Sequence, residues 1–172
     1  MNPKIKEMCF AALGAAVLCL LAPFAIPAGV TPITLSLFAV LVISSLLPVR
    51  PAFCATLVYV LLGAVGVPVF AGFAGGFHIL AGPTGGFIIG YLPISILVSA
   101  FGNRGKLKWV VMLLSTILCY IIGSLWLSFT TDVGFIAALW STCALCAIPD
   151  AIKLIAAYFV SGALASRIRI GA

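Results

Sequence analysis

Charge is what this sequence has least of. Only 7% of its 172 residues are charged, whereas 65% are hydrophobic. In a soluble domain about a quarter of the residues are charged. A soluble fold of this size could not cover so much apolar surface, so the composition excludes a soluble globular protein and indicates a chain embedded in a lipid bilayer.

Acidic residues and histidine are also rare. The chain has three Asp and Glu residues and a single histidine, His78. His78 has no Cys, Asp or Glu at the spacing of metal ligands, so we expect no metal site. No nucleophile with a neighbouring base and no carboxylate pair stands out, and we therefore expect neither an enzyme nor a bound cofactor.

Basic residues are scattered rather than clustered on one face. The nine Lys and Arg residues occur in ones to threes between apolar segments, which disfavours nucleic-acid binding. The six cysteines lie within apolar segments and are expected to pack there as free thiols.

Six long apolar runs, mostly bounded by prolines, predict an all-α membrane bundle with about six transmembrane helices. A spanning helix needs about 20 mostly apolar residues, and proline is tolerated at a helix start. The predicted spans are 8–27, 33–48, 52–67, 84–102, 107–128 and 148–168. A further apolar segment, 134–147, is interpreted as a partial or re-entrant helix, and residues 1–172 as a single integral membrane domain.

The distribution of cations predicts the orientation. Cytoplasmic loops of membrane proteins are enriched in Lys and Arg. With six spans and both termini cytoplasmic, every cation except Lys153 falls on the cytoplasmic side. An odd number of spans would place some of these cations outside.

The exception, Lys153, follows Asp150 by three residues, which places both side chains on one helix face. Charges within a membrane segment cost several kcal/mol unless they face a cavity or a partner. The pair is therefore interpreted as a functional site at the outer end of the last helix. The alternative is a structural pair, with Asp150 in the first helical turn and Lys153 reaching outward.

The outer connection between the third and fourth spans, residues 66–87, is long, uncharged and rich in Gly and Phe. Glycine permits close backbone approach and aromatic rings form pocket walls, so this loop is predicted to fold over an outward-facing site as a lid. The alternative is a flexible loop with aromatic residues at headgroup depth. Residues 82–86 read Gly-Pro-Thr-Gly-Gly, but no Lys follows them, which argues against ATP binding on this chain.

Small residues recur at four-residue spacing on the first helix: Ala11, Ala12, Ala15 and Ala16. Such a face allows another helix to approach closely. That helix belongs either to the same chain or to another subunit.

Taken together, four segments resemble the BioY family, the biotin-specific substrate-binding (S) components of energy-coupling-factor (ECF) transporters. They are Pro32–Leu35 (Pro-Ile-Thr-Leu), Gly63–Phe70 (with Gly-Val-Pro-Val-Phe at its end), the Gly75–Gly76 to Gly82–Phe87 block, and Pro149–Lys153 (Pro-Asp-Ala-Ile-Lys). The resemblance spans nearly the whole chain. In two places the sequence departs from the family pattern: Ser36 stands where a glutamine is expected, and Phe87 where a tyrosine is common.

The resemblance implies a set of functional residues. Biotin would be bound by Asp150, Lys153, Thr34, Ser36, Gly82, Thr84 and Phe87. The lid would comprise Phe70, Phe73, Gly75, Gly76 and Phe77, and the coupling-subunit interface Ala11, Ala12, Ala15 and Ala16.

The resemblance also implies a function and partners. The chain would bind biotin in a prokaryotic cell membrane, with a transmembrane coupling (T) subunit and two ATPase subunits as partners. The alternatives are an S component for another vitamin, or a membrane enzyme or structural bundle.

Overall fold

The computed structural model describes residues 3–26, 32–101 and 107–167, and these form a helical bundle. The elements, in chain order, are α1 (Pro3–Leu21), β1 (Ala25–Ile26), β2 (Ile33–Thr34), α2 (Ser36–Leu46), α3 (Val49–Val65), α4 (Phe77–Ala81), α5 (Gly85–Phe101), α6 (Leu107–Thr131) and α7 (Phe135–Arg167). The predicted all-α class is confirmed. Each of the six predicted spans corresponds to one of the long helices.

The connection between α1 and α2 differs from the prediction. The sequence placed a helix over 8–27, but α1 ends at Leu21. The chain then forms a two-stranded antiparallel ribbon in which Ala25 pairs with Thr34 and Ile26 with Ile33. The predicted second span therefore loses its first residues to β2, and α2 begins only at Ser36.

The last helix corrects a second expectation. Residues 134–147 are not a separate partial or re-entrant helix, because α7 runs without a break from Phe135 to Arg167. Pro149 lies inside this helix rather than at its start. A membrane helix accepts an internal proline when its neighbours satisfy the freed carbonyl group. Asp150 is consequently about four turns from the start of the helix, so a first-turn dipole interaction does not explain it.

α2 is the centre of the bundle. Nine of its eleven residues are buried, and it packs against α7 and α5. Around it, α1 packs on α3, and α5 on α6. A helix that is apolar on all sides is expected in such a position.

The helices differ in length relative to a bilayer. By length and composition alone, α6 and α7 can each cross a membrane, whereas α2, α3 and α5 are apolar but shorter. α7, with 33 residues, is about 50 Å long. It therefore exceeds the roughly 30 Å hydrocarbon core and extends past it.

Two connections meet at one end of the bundle. The Gly72 N–H donates to the Pro23 carbonyl at 2.9 Å, and the rings of Phe24 and Phe73 pack edge-on with centroids 5.7 Å apart. These contacts join the β1–β2 ribbon to the connection that follows α3. That connection is partly ordered by its own short helix, α4, and by a bridge between Phe70 and Ala74.

Candidate substrate-binding cavity

A cavity of about 160 Å³ lies beneath these two connections, bordered by α2, α3, α5, α6 and α7. Its lining is mostly apolar, with a few polar side chains that converge on it. This is the usual composition of a small-molecule site.

One wall of the cavity carries a charged pair, Asp150 and Lys153, together with the hydroxyl of Tyr120. The Lys153 ammonium donates to Asp150 Oδ1 at 2.6 Å, and the Tyr120 hydroxyl donates to Asp150 Oδ2 at 2.5 Å. Asp150 is only 8% exposed. Each carboxylate oxygen thus has one protein donor, and its remaining lone pair is available to a ligand.

α7 presents this wall because its cavity-lining residues follow helical spacing. Thr142, Cys146, Asp150 and Lys153 all border the cavity at intervals of four, four and three residues, which places them on one face. The predicted proximity of Asp150 and Lys153 is therefore present, at the cavity and in the middle of the helix.

A second, uncharged polar cluster comes from the start of α2 and its neighbours. Thr34, Ser36, Tyr59 and Tyr91 all border the cavity. The Tyr59 hydroxyl interacts with Ser36, and the Tyr91 hydroxyl interacts with Thr34 and Ser36. Hydroxyl groups both donate and accept, so this cluster can adapt to either kind of ligand atom.

Phe70 closes part of the cavity and is fixed in place. Its ring is 1% exposed and packs edge-on against Tyr59. Gly63 makes room for it, because a Cβ at that position would lie 2.1 Å from Phe70 Cζ. Phe70 is thus a buried wall of the site.

The other residues of the predicted lid are placed differently. Phe73, Gly75, Gly76 and Phe77 are not among the residues that line the cavity. Phe73 and Phe77 are exposed. In this structure only Phe70 of the five covers the site directly, and the lid role of the other four remains a prediction.

The Gly-Pro-Thr-Gly-Gly turn is held by α6. Thr84 and Phe87 border the cavity, whereas Gly82 does not and instead accepts a hydrogen bond from Trp126 Nε1 at 3.0 Å. Gly86 lies against Trp126, where a Cβ would come within 2.2 Å of the Trp126 Cβ. Gly82 therefore contacts the supporting helix rather than the ligand space.

The small residues of α1 divide between two environments. Ala15 is buried, at 4% exposure, and Ala11 is partly buried, whereas Ala12 and Ala16 are exposed. The neighbouring Gly14 explains the buried side, because a Cβ there would lie 3.1 Å from Ala55 Cβ. One edge of the predicted interface thus packs within the bundle, and only the other edge faces outward.

Comparison with known proteins identifies the family. The model of the BioY family matches residues 1–170. The chain belongs to the BioY family. This confirms the resemblance that the sequence motifs indicated.

Relatives cover most of the chain. It is 39% identical to biotin transporter BioY2 of Lactococcus lactis, over 80% of this chain and 78% of that protein. It is 35% identical to a probable biotin transporter BioY of Pyrococcus horikoshii, over 92% and 95% of the two chains. Family members from bacteria and archaea are thus named as transporters rather than enzymes, and the chain is a multi-pass protein of the prokaryotic plasma membrane.

The fold is similar to that of a solved S component. A crystal structure of the S component for biotin from an ECF-type ABC transporter superimposes with a TM-score of 0.87 at 25% sequence identity. The match covers 96% of this chain and 93% of that one. The helical bundle described above is therefore the S-component fold.

Several cavity residues were missed by sequence reasoning. These are Tyr59, Tyr91, Cys119, Tyr120, Thr142 and Cys146, all of which border the cavity. Their only sequence signal is a polar side chain inside an apolar helix. Such side chains are common at helix contacts, so the signal did not separate them from structural residues.

Proposed function

We propose that this BioY chain binds biotin in the cavity and supports its uptake as the S component of an ECF transporter. The observation that carries the proposal is the buried Asp150–Lys153 pair at the wall of an otherwise apolar cavity. Burying two charges is costly, and replacing them with packed apolar residues is often neutral or stabilising. A role in ligand binding accounts for their presence.

The chemistry of the cavity suits biotin. Its ureido ring offers two N–H donors and a carbonyl acceptor, and its aliphatic chain ends in a carboxylate. The Asp150 carboxylate accepts hydrogen bonds from N–H groups. The Lys153 ammonium has three N–H donors; one is hydrogen-bonded to Asp150, and the other two can donate to a ligand. The apolar walls, including Phe70 and Ile88, fit the sulfur-containing ring and the aliphatic chain.

The cavity faces the outside of the cell in this proposal. Lys4, Arg50 and Lys108 lie at the starts of α1, α3 and α6. The connections over the cavity follow the opposite ends of α1 and α3. If the cation-rich end is cytoplasmic, the cavity lies at the outer side, where an importer meets its substrate. Arg104 and Lys106 fall outside the described residues.

Energy for uptake would come from other subunits. The Gly-Pro-Thr-Gly-Gly turn lacks the lysine of a phosphate loop, and it packs against Trp126. We assign ATP hydrolysis to two ATPase subunits and coupling to a T subunit. The exposed Ala12 and Ala16 of α1 offer the T subunit a surface for close helix approach.

A thermal-shift assay on the detergent-purified chain with a vitamin panel tests the substrate. We expect biotin to raise the melting temperature without ATP, because a ligand that binds the folded state and not the unfolded state stabilises the folded protein. A shift with thiamine or riboflavin and none with biotin would overturn the substrate assignment and leave the transporter class intact.

A further inference from the structure

Tyr120 borders the cavity and also bonds to the Asp150 carboxylate. Tyr120, in α6, donates to Asp150 Oδ2, while Lys153 donates to Asp150 Oδ1. Each oxygen of the carboxylate therefore accepts a hydrogen bond, and the two donors belong to different helices.

The two donors do not restrain the carboxylate in the same way. Lys153 is three residues from Asp150 on α7, so it moves together with Asp150. Tyr120 is thirty residues away on α6 and ties the carboxylate to that second helix. The restraint matters at this point of α7, because Pro149 has no N–H and removes one backbone hydrogen bond from the turn just before Asp150.

We propose that Tyr120 is a positioning residue, which holds the Asp150 carboxylate in the orientation that receives the ligand. The proposal rests on biotin binding at this site. With both oxygens fixed, ligand N–H groups meet acceptors that are already oriented, and less conformational freedom is lost on binding.

A hydrogen bond to a charged group is among the stronger ones in proteins. Tyr120→Phe removes this bond and keeps the ring. We expect biotin affinity to fall about tenfold or more. The matched control is Tyr158→Phe, since Tyr158 lies on α7 away from the cavity and packs against Trp109. The control should bind biotin as the unmodified chain does.

A double-mutant cycle separates positioning from direct ligand contact and from general support of the fold. In an Asp150→Asn background the hydroxyl can bond only to a neutral amide, which is a weaker interaction. If Tyr120 acts through Asp150, Tyr120→Phe should cost no more than about threefold in that background. An equal loss in both backgrounds would overturn the proposal, because it would mean that Tyr120 acts independently of Asp150.

Two further outcomes are decisive. If the unmodified chain binds biotin and Tyr120→Phe binds it equally well, the positioning role is wrong while the proposed function stands. If the unmodified chain does not bind biotin, the proposed function itself fails. Where Asp150→Asn binds too weakly to measure, a crystal structure of ligand-free Tyr120→Phe decides: Asp150 should leave its position, and an unmoved carboxylate would contradict the proposal.

Discussion

The ring of Phe70 packs edge-on against the ring of Tyr59, with centroids 5.6 Å apart and an interplanar angle of 83°. Both rings border the cavity. The contact exists because Gly63, one turn along α3 from Tyr59, has no side chain to displace Phe70. Gly63, which does not itself border the cavity, thus sets the shape of one cavity wall.

Gly63→Ala is expected to damage both the fold and the site. Its Cβ would overlap the Phe70 ring, and overpacking of this kind costs about 1–3 kcal/mol. The melting temperature should fall and biotin affinity should weaken, as measured by thermal shift and calorimetry. Gly162→Ala is the matched control, because a Cβ there meets nothing within 4 Å. Equal effects of the two substitutions would contradict this account of Phe70.

The β1–β2 ribbon and the connection that follows α3 are expected to restrain ligand exit together. Phe24→Leu removes the aromatic contact with Phe73, and such a pair contributes about 0.5–1.5 kcal/mol. We expect biotin to dissociate severalfold faster from this variant in a stopped-flow displacement assay. Phe129→Leu, at an exposed position of α6 that does not border the cavity, is the control and should leave the rate unchanged. An unaltered rate in Phe24→Leu would show that the contact does not restrain ligand exit.

Because α1 has both a buried and an exposed alanine, docking of the T subunit can be tested separately from folding of the bundle. Ala16→Leu places bulk on the exposed side of α1, so it should weaken co-purification with the T subunit and leave the melting temperature and biotin affinity nearly unchanged. Ala15→Leu places the same bulk in the core, so it should lower the melting temperature. If Ala16→Leu leaves the complex intact, the T subunit docks elsewhere.

Much of the fold could be predicted from the sequence, for physical reasons. A bilayer demands long apolar helices with satisfied backbones, so six hydrophobic runs sufficed to predict six helices. The same cost of buried charge drew attention to Asp150 and Lys153, and the structure places both at the cavity.

The errors arose where local signals were ambiguous. Pro149 is typical of a helix start, but a membrane helix can also accept an internal proline. Pro149 lies inside α7, which begins after the short connection at 132–134. The short ribbon of Ala25–Ile26 and Ile33–Thr34 depends on pairing between segments too short to show a periodicity.

Tyr120 could not be predicted for a different reason. Its partner, Asp150, is on another helix, and their contact depends on how α6 and α7 are rotated against each other. A tyrosine in an apolar helix does not reveal that rotation. The split of the α1 alanines into buried and exposed members also depends on helix packing, which spacing alone does not determine.

The most direct test of the central claim is calorimetric titration of biotin into the purified chain and into Asp150→Asn, Lys153→Met and the double variant, with melting temperatures measured in parallel. We expect the unmodified chain to bind tightly without ATP. Each single variant should lose a few kcal/mol, about the cost of leaving one member of a buried charge pair without its partner. Removing both charges can restore folding but should not restore binding. A folded double variant with the affinity of the unmodified chain would contradict the account.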